Sequence, residues 1–403
     1  MRIRIDGTSI KPGHSAGVEA FTYGMLRGLL NSAEHDIEVE ILDDTTKAWK
    51  ERVPSDTVRW SEIPVALRSD TRLGRQARRF VPAQVRASKI SRRVVNGIRE
   101  IARPQEKTQA DVTVYPFTCV PVRAENSVLV MHDLRRFQPG FLEPGYVEVI
   151  TENVKKAAAI AVSWPHPYQQ ALELFPEARD KIAMIPPPTF HPRPADQVST
   201  PEEGLLLYPS STSTHKNHAT LLEGMTLLPN FRLVCPGPLV APEADRLLQR
   251  AAEPDLAGRV SLPGFVTVDE LTELYSRAWA VVVPSTWEAA SGAIFEAFSW
   301  GLPVACADVK PLRAQIEFAG GDAAFFDAYD PRSVSRAIER LAANREHYAA
   351  ASRVASHRLA DRTWTDTARD YADLFGWVAA GRTGNIPRST FGTAPESLTD
   401  PSR

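Results

Sequence analysis

The sequence predicts an α/β fold made of two Rossmann-like, doubly wound domains facing each other across a cleft. Three observations predict it. Short apolar runs alternate with helical periodicity along nearly the whole chain, the pattern of parallel sheets with helices on both faces. The 403 residues exceed what one core usually holds, because domains of ~150 residues are typical. The stretch "IPPPTFHPRPADQVSTPEEG" at 185–204 has six prolines and no periodicity, which reads as a linker between domains.

Each half supplies its own set of strands. In the first they are "RIRID" (2–6), "IEVEIL" (37–42), "DVTVYP" (111–116), "SVLVMHD" (127–133) and "AIAVS" (159–163). In the second they are "GLLLYPS" (204–210), "FRLVCPG" (231–237), "RVSLPGF" (259–265), "AWAVVVPS" (278–285) and "PVACADV" (303–309). Helical stretches at about 331–343 and 346–360 follow the last of these. The expected domains are therefore 1–195 and 196–365. A closing helix at 366–381 is expected to return to the N-terminal domain, and a polar tail at 382–403, rich in Pro, Gly and Ser, to be disordered.

Composition narrows the class. With 43% hydrophobic and 24% charged residues the chain has the balance of a soluble globular protein. It has no run approaching the ~18 apolar residues of a membrane span, and "MRIRIDGTSI" enters an alternating strand directly. A cytoplasmic location is expected, peripheral at most to the inner face of the membrane. Cys119, Cys235 and Cys306 stand far apart, so they read as buried reduced thiols and not as metal ligands, which favour paired spacings. The net charge of −2 conceals an asymmetry: Lys+Arg against Asp+Glu is 28 to 24 in residues 1–200 and 19 to 25 in residues 201–403. Residues 68–103 alone hold 11 Lys+Arg against Asp70 and Glu100. Such a segment is either a solvated helix face or a contact with an anionic membrane or acidic acceptor. No motif supports nucleic-acid binding.

Open parallel sheets bind ligands outside the carboxyl ends of their strands, so the loops after strands are where chemistry is sought. After "AWAVVVPS", the stretch "SGAIFEAFSW" reads as a helix with Ser291 as N-cap and Gly301 as stop. Its N-terminus offers unpaired N–H groups and partial positive charge to an anion, a phosphate above all. Glu288 precedes this helix and Glu296 lies in its second turn. A carboxylate ~6 Å from a phosphate charge would cost ~3 kcal/mol at an effective dielectric of ~20. The two glutamates therefore suit hydroxyls on either side of a diphosphate, which describes a nucleotide sugar. The compensating cation is sought at "LLLYPSSTSTHKNHATLLEGM", where His215 and Lys216 close a Ser/Thr-rich loop before a helix. In the first half, the loop after "RIRID" holds Gly13 and Gly17, and Gly17 would let backbone approach a ligand closely. His132 and Asp133 end another strand, and a histidine there could bond a sugar hydroxyl or move a proton.

Together and in this order, these residues resemble glycosyltransferase family 4, the retaining nucleotide-sugar transferases of GT-B fold. The resemblance spans roughly residues 1–377. Its carrier is two glutamates with seven residues between them, Glu288 and Glu296, after "VPS" and before "EAFSWGLPVA". Supporting matches are "AGVEAF" (16–21), "HD" (132–133), "MIPPP" (184–188), "HKNH" (215–218) and "VSLPGFVTVDELTELYSRA" (260–278). The resemblance implies an N-terminal acceptor-side domain and a C-terminal donor domain. It implies that Glu296 binds the donor ribose, that Glu288 lies near the donor sugar, and that Lys216 holds the diphosphate, with His215 beside it. His132 would contact the sugar near the reacting carbon, and Gly264, Phe265 and Val266 would frame the base. Transfer of a hexosyl or deoxyhexosyl unit with retention, without metal or other cofactor, to a glycan, lipid-linked or small-molecule acceptor is what such enzymes do. The absence of an Asp-x-Asp triplet agrees with metal independence.

Three positions depart from the family pattern. Where Gly-Phe-Gly commonly follows the first glutamate, this chain has Ala289, Ala290 and Ser291, with Gly292 displaced by one; His215 replaces an arginine; and Ala16 replaces the first glycine of its loop. Two other readings stand beside transfer to an acceptor. One is a nucleotide-sugar epimerase or hydrolase of the same architecture; the other is a non-catalytic sugar-nucleotide-binding partner.

Overall fold

The computed structural model describes residues 1–10, 12, 16–32, 34–63, 110–389 and 391. The basic segment 68–103, Gly13 and the tail from residue 392 lie outside the described residues. Two compact units divide the chain: unit 1 takes its described residues from 1–163, 170–186 and 364–389, and unit 2 from 164–169, 187–363 and 391.

In unit 1, short apolar-rich runs form parallel strands, most of them buried on both faces, with a partly exposed strand at one edge. They are β1 (Arg2–Asp6), β2 (Asp36–Leu42), β3 (Val58–Ile63), β4 (Val112–Tyr115), β5 (Ser127–Met131), β6 (Ala159–Val162) and β7 (Ile182–Met184). All pair in parallel, in the order β3-β2-β1-β4-β5-β6-β7. Among the described residues, α1 (Ala16–Ser32), α2 (Thr46–Arg52) and α3 (Pro144–Lys156) provide the connecting helices. Helix α4 (Pro165–Leu174) begins in unit 2 and ends in unit 1.

Unit 2 repeats the plan with β8 (Leu205–Leu207), β9 (Arg232–Pro236), β10 (Val260–Gly264), β11 (Ala280–Val283), β12 (Val304–Ala307) and β13 (Ala324–Phe326). Their order is β10-β9-β8-β11-β12-β13, again parallel. In both sheets the strand order reverses beside the first strand, so each has a switch point, β1/β4 and β8/β11, where loops diverge and leave a crevice. The helices are α5 (His218–Thr226), α6 (Glu243–Ala251), α7 (Val268–Arg277), α8 (Gly292–Ser299), α9 (Lys310–Ala319), α10 (Pro331–Ala343) and α11 (Arg345–Ala360). Local chemistry sets their ends. Thr267 and Glu270 form a reciprocal capping box on α7, Asp330 caps α10 ahead of Pro331, and Gly320 ends α9 in the left-handed region at φ 70°.

The proline-rich stretch is anchored earlier than a boundary at 195 would have it: the chain enters unit 2 at Pro187. The reason is local bonding. The Arg193 backbone N–H donates to Ser299 Oγ (3.0 Å) and its guanidinium lies over the Trp300 ring, while Thr200 and Glu202 donate to the carbonyls of Ser276 and Arg277. Cys235 and Cys306 are buried and Cys119 is half-buried, all three as free thiols.

The last helix, α12 (Trp364–Ala379), belongs to unit 1 and packs along α1. Two glycines of α1 make room for it. A Cβ on Gly24 would meet the Trp364 ring at 2.1 Å, and one on Gly28 would meet the Trp364 carbonyl oxygen at 2.3 Å. Residues 382–389 continue without regular secondary structure, with Ser389 buried and its hydroxyl donating to Asp370 (2.5 Å). Because backbone cannot rotate aside, Gly28→Ala is expected to lose about 1–3 kcal/mol. Gly376→Ala on α12, where nothing lies within 4 Å, is expected to gain about 0.4–1 kcal/mol. Urea unfolding followed by tryptophan fluorescence measures both, and equal midpoints for the two variants would contradict this packing.

Candidate functional site

The switch point of unit 2 gathers the residues that the sequence singled out. Tyr208 follows β8 and Ser285 lies two residues beyond β11, on neighbouring strands that pair in parallel. The Tyr208 hydroxyl lies 2.9 Å from Ser285 Oγ and donates to the Lys216 carbonyl (3.0 Å). Ser285 Oγ in turn donates to Glu288 Oε1 (2.7 Å). Lys216 Nζ donates to that same oxygen at 2.6 Å, with its side chain 21% exposed against 7% for Glu288. Glu288 is thus a buried carboxylate compensated by one cation and one hydroxyl. Charges ~4 Å apart attract by about 4 kcal/mol at an effective dielectric of ~20, before desolvation.

The loop carrying Lys216 is held by its neighbour. Asn217 adopts a left-handed conformation (φ 57°, ψ 38°), one that asparagine enters more readily than other side chains with a Cβ. Its amide donates to the carbonyls of Pro284 (3.0 Å) and Ala328 (2.7 Å). One side chain therefore ties the loop after β8 to the ends of β11 and β13. The His215 carbonyl accepts from the Thr286 backbone N–H at 2.9 Å, a second tie between the same two loops.

Helix α8 starts at Gly292, as the sequence predicts, with Ser291 as N-cap residue. The correction is that the Ser291 side chain makes no capping bond. Gln315 on α9 grips its backbone instead: the Ser291 N–H donates to Gln315 Oε1 (2.7 Å), and Gln315 Nε2 donates to the Ser291 carbonyl (2.6 Å). Gly292 is exposed, and a Cβ there would have only Glu296 Oε1 nearby, at 3.7 Å. The Glu296 carboxylate thus leans back toward the helix N-terminus, as helical side chains do. Its other oxygen accepts from the Tyr275 hydroxyl at 2.6 Å. Burial pushes the Glu296 carboxyl above its usual range, partly offset by the Tyr275 bond and by the His191 charge, and burial likewise pushes the Tyr275 phenol up. The glutamates differ accordingly: a cation faces Glu288, and a phenol faces Glu296.

Ala289 and Ala290 line a hollow with Trp164, His166, Phe295 and Pro311. Trp164 stacks on Phe295 with ring centroids 4.7 Å apart, so six residues from far upstream in the chain complete this part of unit 2. At the ends of β9 and β10, Gly237 (φ 145°) sits where a Cβ would lie 2.2 Å from the Ser210 carbonyl. Gly264 (φ 80°) follows beside it, its carbonyl accepting from the Gly237 N–H (2.8 Å). Phe265 is 81% exposed, Val266 is half-buried, and Leu239 and Val240 lie exposed on the adjacent loop.

In unit 1, His132 follows β5. Its Nδ1 lies 2.9 Å from Ser163 Oγ, its ring meets Phe21 edge-on with centroids 4.5 Å apart, and its buried Nε2 has no hydrogen-bond partner among the described residues. Burial pushes this imidazole down to about 4, opposed in part by the Pro116 backbone. It is neutral at pH 7, which leaves hydrogen bonding and removes acid catalysis from its repertoire. Gly17, in the first turn of α1, is exposed, and among the described residues nothing lies within 4 Å of where a Cβ would be. The partners Tyr208, Ser285, Tyr275 and Gln315 were not among the residues chosen from sequence. Tyr208 and Ser285 lie within the strand stretches 204–210 and 278–285, which is their one trace in the sequence; nothing local marks the other two.

The two Rossmann-like units define a GT-B architecture. Residues 193–358 match the family model described as glycosyl transferases group 1. The chain is 27% identical to the D-inositol 3-phosphate glycosyltransferase of Salinispora tropica over 179 residues, covering 43% of this chain and 36% of that protein. It is 27% identical to the O-antigen chain mannosyltransferase B of Escherichia coli over 221 residues, covering 50% of this chain and 58% of that protein. The matched stretches thus span about a third to a little over half the length of these curated relatives. In three dimensions it is similar to Anabaena HepE in complex with UDP and glucose, at TM-score 0.65 and 14% identity, covering 93% of this chain and 99% of that one. These matches support a GT-B glycosyltransferase. Among the described residues, no helix is long and apolar enough to cross a membrane.

The raised Glu296 carboxyl has a signed consequence. A group whose folded pKa lies above its unfolded value, about 4.3 for Glu, loses folding stability as pH rises through the folded value. Glu296→Gln is therefore expected to melt higher than wild type at pH 7.5, with the gap closing as pH falls toward about 4.5. Scanning calorimetry across that range checks it, and a lower melting temperature for the variant at pH 7.5 would contradict the assignment.

Proposed function

We propose that the protein is a retaining, metal-independent family 4 glycosyltransferase that moves a hexosyl or deoxyhexosyl unit from a nucleoside diphosphate sugar to an acceptor hydroxyl. One observation carries this reading: Lys216 and Glu288 stand 2.6 Å apart at the switch point, beside the N-terminus of α8. The glycosidic bond to a diphosphate breaks heterolytically, so negative charge grows on the leaving phosphate while positive charge grows on the sugar. A cation and a carboxylate side by side can bracket that bond, each stabilising one developing charge without reorganising. Lys216, with the N–H groups of Gly292 and Ala293 at the start of α8, faces the diphosphate, and Glu288 faces the sugar. Glu296 Oε1 accepts from the ribose hydroxyls, with Tyr275 holding its other oxygen. Phe265 and Val266, with Gly264 beneath them, offer an apolar face to the base.

His132, neutral, bonds a sugar hydroxyl near the reacting carbon, and Gly17 brings backbone toward the same ligand. The acceptor hydroxyl attacks from the face that the diphosphate leaves, through an oxocarbenium-like state. The names of the curated relatives, an O-antigen mannosyltransferase and an inositol phosphate glycosyltransferase, support an acceptor in bacterial surface glycan or glycosylated natural-product synthesis. The protein would act in the cytoplasm or at the inner membrane face, and residues 68–103 would meet an anionic surface there.

Calorimetric titration with a panel of nucleoside diphosphates is expected to single out one base. With the matching donor, Lys216→Ala is expected to lower kcat about 10²–10³-fold, and Glu296→Ala to raise the donor KM or abolish turnover. Omitting acceptor should stop turnover; donor consumption at an unchanged rate without acceptor would refute transfer, and wild-type kinetics from Glu296→Ala would refute the site.

A further inference from the structure

We propose that Gln315, distant in sequence from every motif of the site, is the positioning residue that fixes the segment between the two glutamates. The inference rests on the transferase reading above. Residues 289–291 connect Glu288 to α8, and neither Ala289 nor Ala290 has a side chain able to hold the turn. The Ser291 hydroxyl does not cap the helix either. What holds the turn is the Gln315 carboxamide, 2% exposed, which both accepts from and donates to the Ser291 backbone. The Ser291 carbonyl also receives the first bond of α8, from the Ile294 N–H at 3.2 Å. The clamp therefore sets both the direction of the helix N-terminus and the position of Glu288 three residues earlier. Gln315 lines the hollow beside Ala289 and Ala290 and reaches the turn from α9, an element separate from both glutamates.

The chemistry of the clamp supplies its own test. A neutral carboxyl group has one acceptor and one donor, as a carboxamide does, whereas a carboxylate has acceptors only. In Gln315→Glu, the ionised side chain would place a second oxygen against the Ser291 carbonyl and expel the turn; the protonated one restores both bonds. Burial raises the carboxyl pKa of such a residue. Gln315→Glu is thus expected to show near wild-type kcat/KM at about pH 5, and to lose about 10- to 100-fold as pH rises through its carboxyl pKa, the scale of a misplaced catalytic group. Gln315→Leu is expected to be low at every pH.

Two readouts accompany the kinetics: hydrogen exchange at the Ser291 amide, expected to quicken in Gln315→Glu above the same pKa, and the melting temperature of each variant. A wild-type enzyme that transfers sugar, together with a flat Gln315→Glu profile and unchanged Ser291 exchange, overturns the clamp alone. A wild-type protein that turns over no nucleotide sugar overturns the transferase reading and this role with it.

Discussion

A buried carboxylate must be compensated, and at the switch point of unit 2 the compensation of Glu288 organises everything around it. Removing one member of a buried pair leaves the other charge unpaired, at a cost of about 3–5 kcal/mol. The Lys216 ammonium and the Ser285 hydroxyl both converge on one oxygen of Glu288. Tyr208 then fixes Ser285 and the Lys216 backbone together, and Asn217 accepts a left-handed conformation so that the lysine can face inward. The parallel pairing of β8 and β11 brings these loops within reach. Sheet order, a strained-looking asparagine and an ion pair are one arrangement seen at three scales.

The second glutamate is arranged differently. Glu296 receives a phenol and helix geometry but no direct ion pair among the described contacts, and its carboxyl is pushed up by burial. A group held in this state makes the protein less stable than an amide would, and natural sequences keep such groups where a ligand supplies what the fold withholds. Glu288 is satisfied within the protein, while Glu296 keeps one oxygen turned toward an exposed helix end. That difference follows from the eight-residue offset, which sets one carboxylate in a loop beside a lysine and the other on the body of a helix.

Much of this was legible in the sequence, and the exceptions have physical causes. Long apolar runs gave most of the strands, because a strand buried on both faces needs little else. Strands β7 (Ile182–Met184) and β13 (Ala324–Phe326) have three residues each, too few for a period, and β3 mixes exposed and buried positions as an edge strand does. Glu288, Glu296 and Lys216 stand out locally by charge in neutral surroundings. Tyr275 and Gln315 do not: a tyrosine and a glutamine on amphipathic helices look alike whether they face water or a turn far away in sequence. Capping followed the same logic. The Thr267–Glu270 capping box has both partners in one turn, whereas Ser291 has the right residue type and a distant side chain does its work.

The course of the chain through the two units sets a rule for anyone who would rebuild the protein. It changes unit after residues 163, 169, 186 and 363, and Phe391 is again with unit 2, where it meets Phe318 and Arg362. Unit 2 lifted out as 187–363 would leave behind Trp164, which stacks on Phe295 at the wall of the hollow. It would also leave behind the end of the chain. Exchange of unit 2 between related proteins therefore calls for three coordinated grafts, with the six-residue piece beginning at Trp164 the one most easily overlooked.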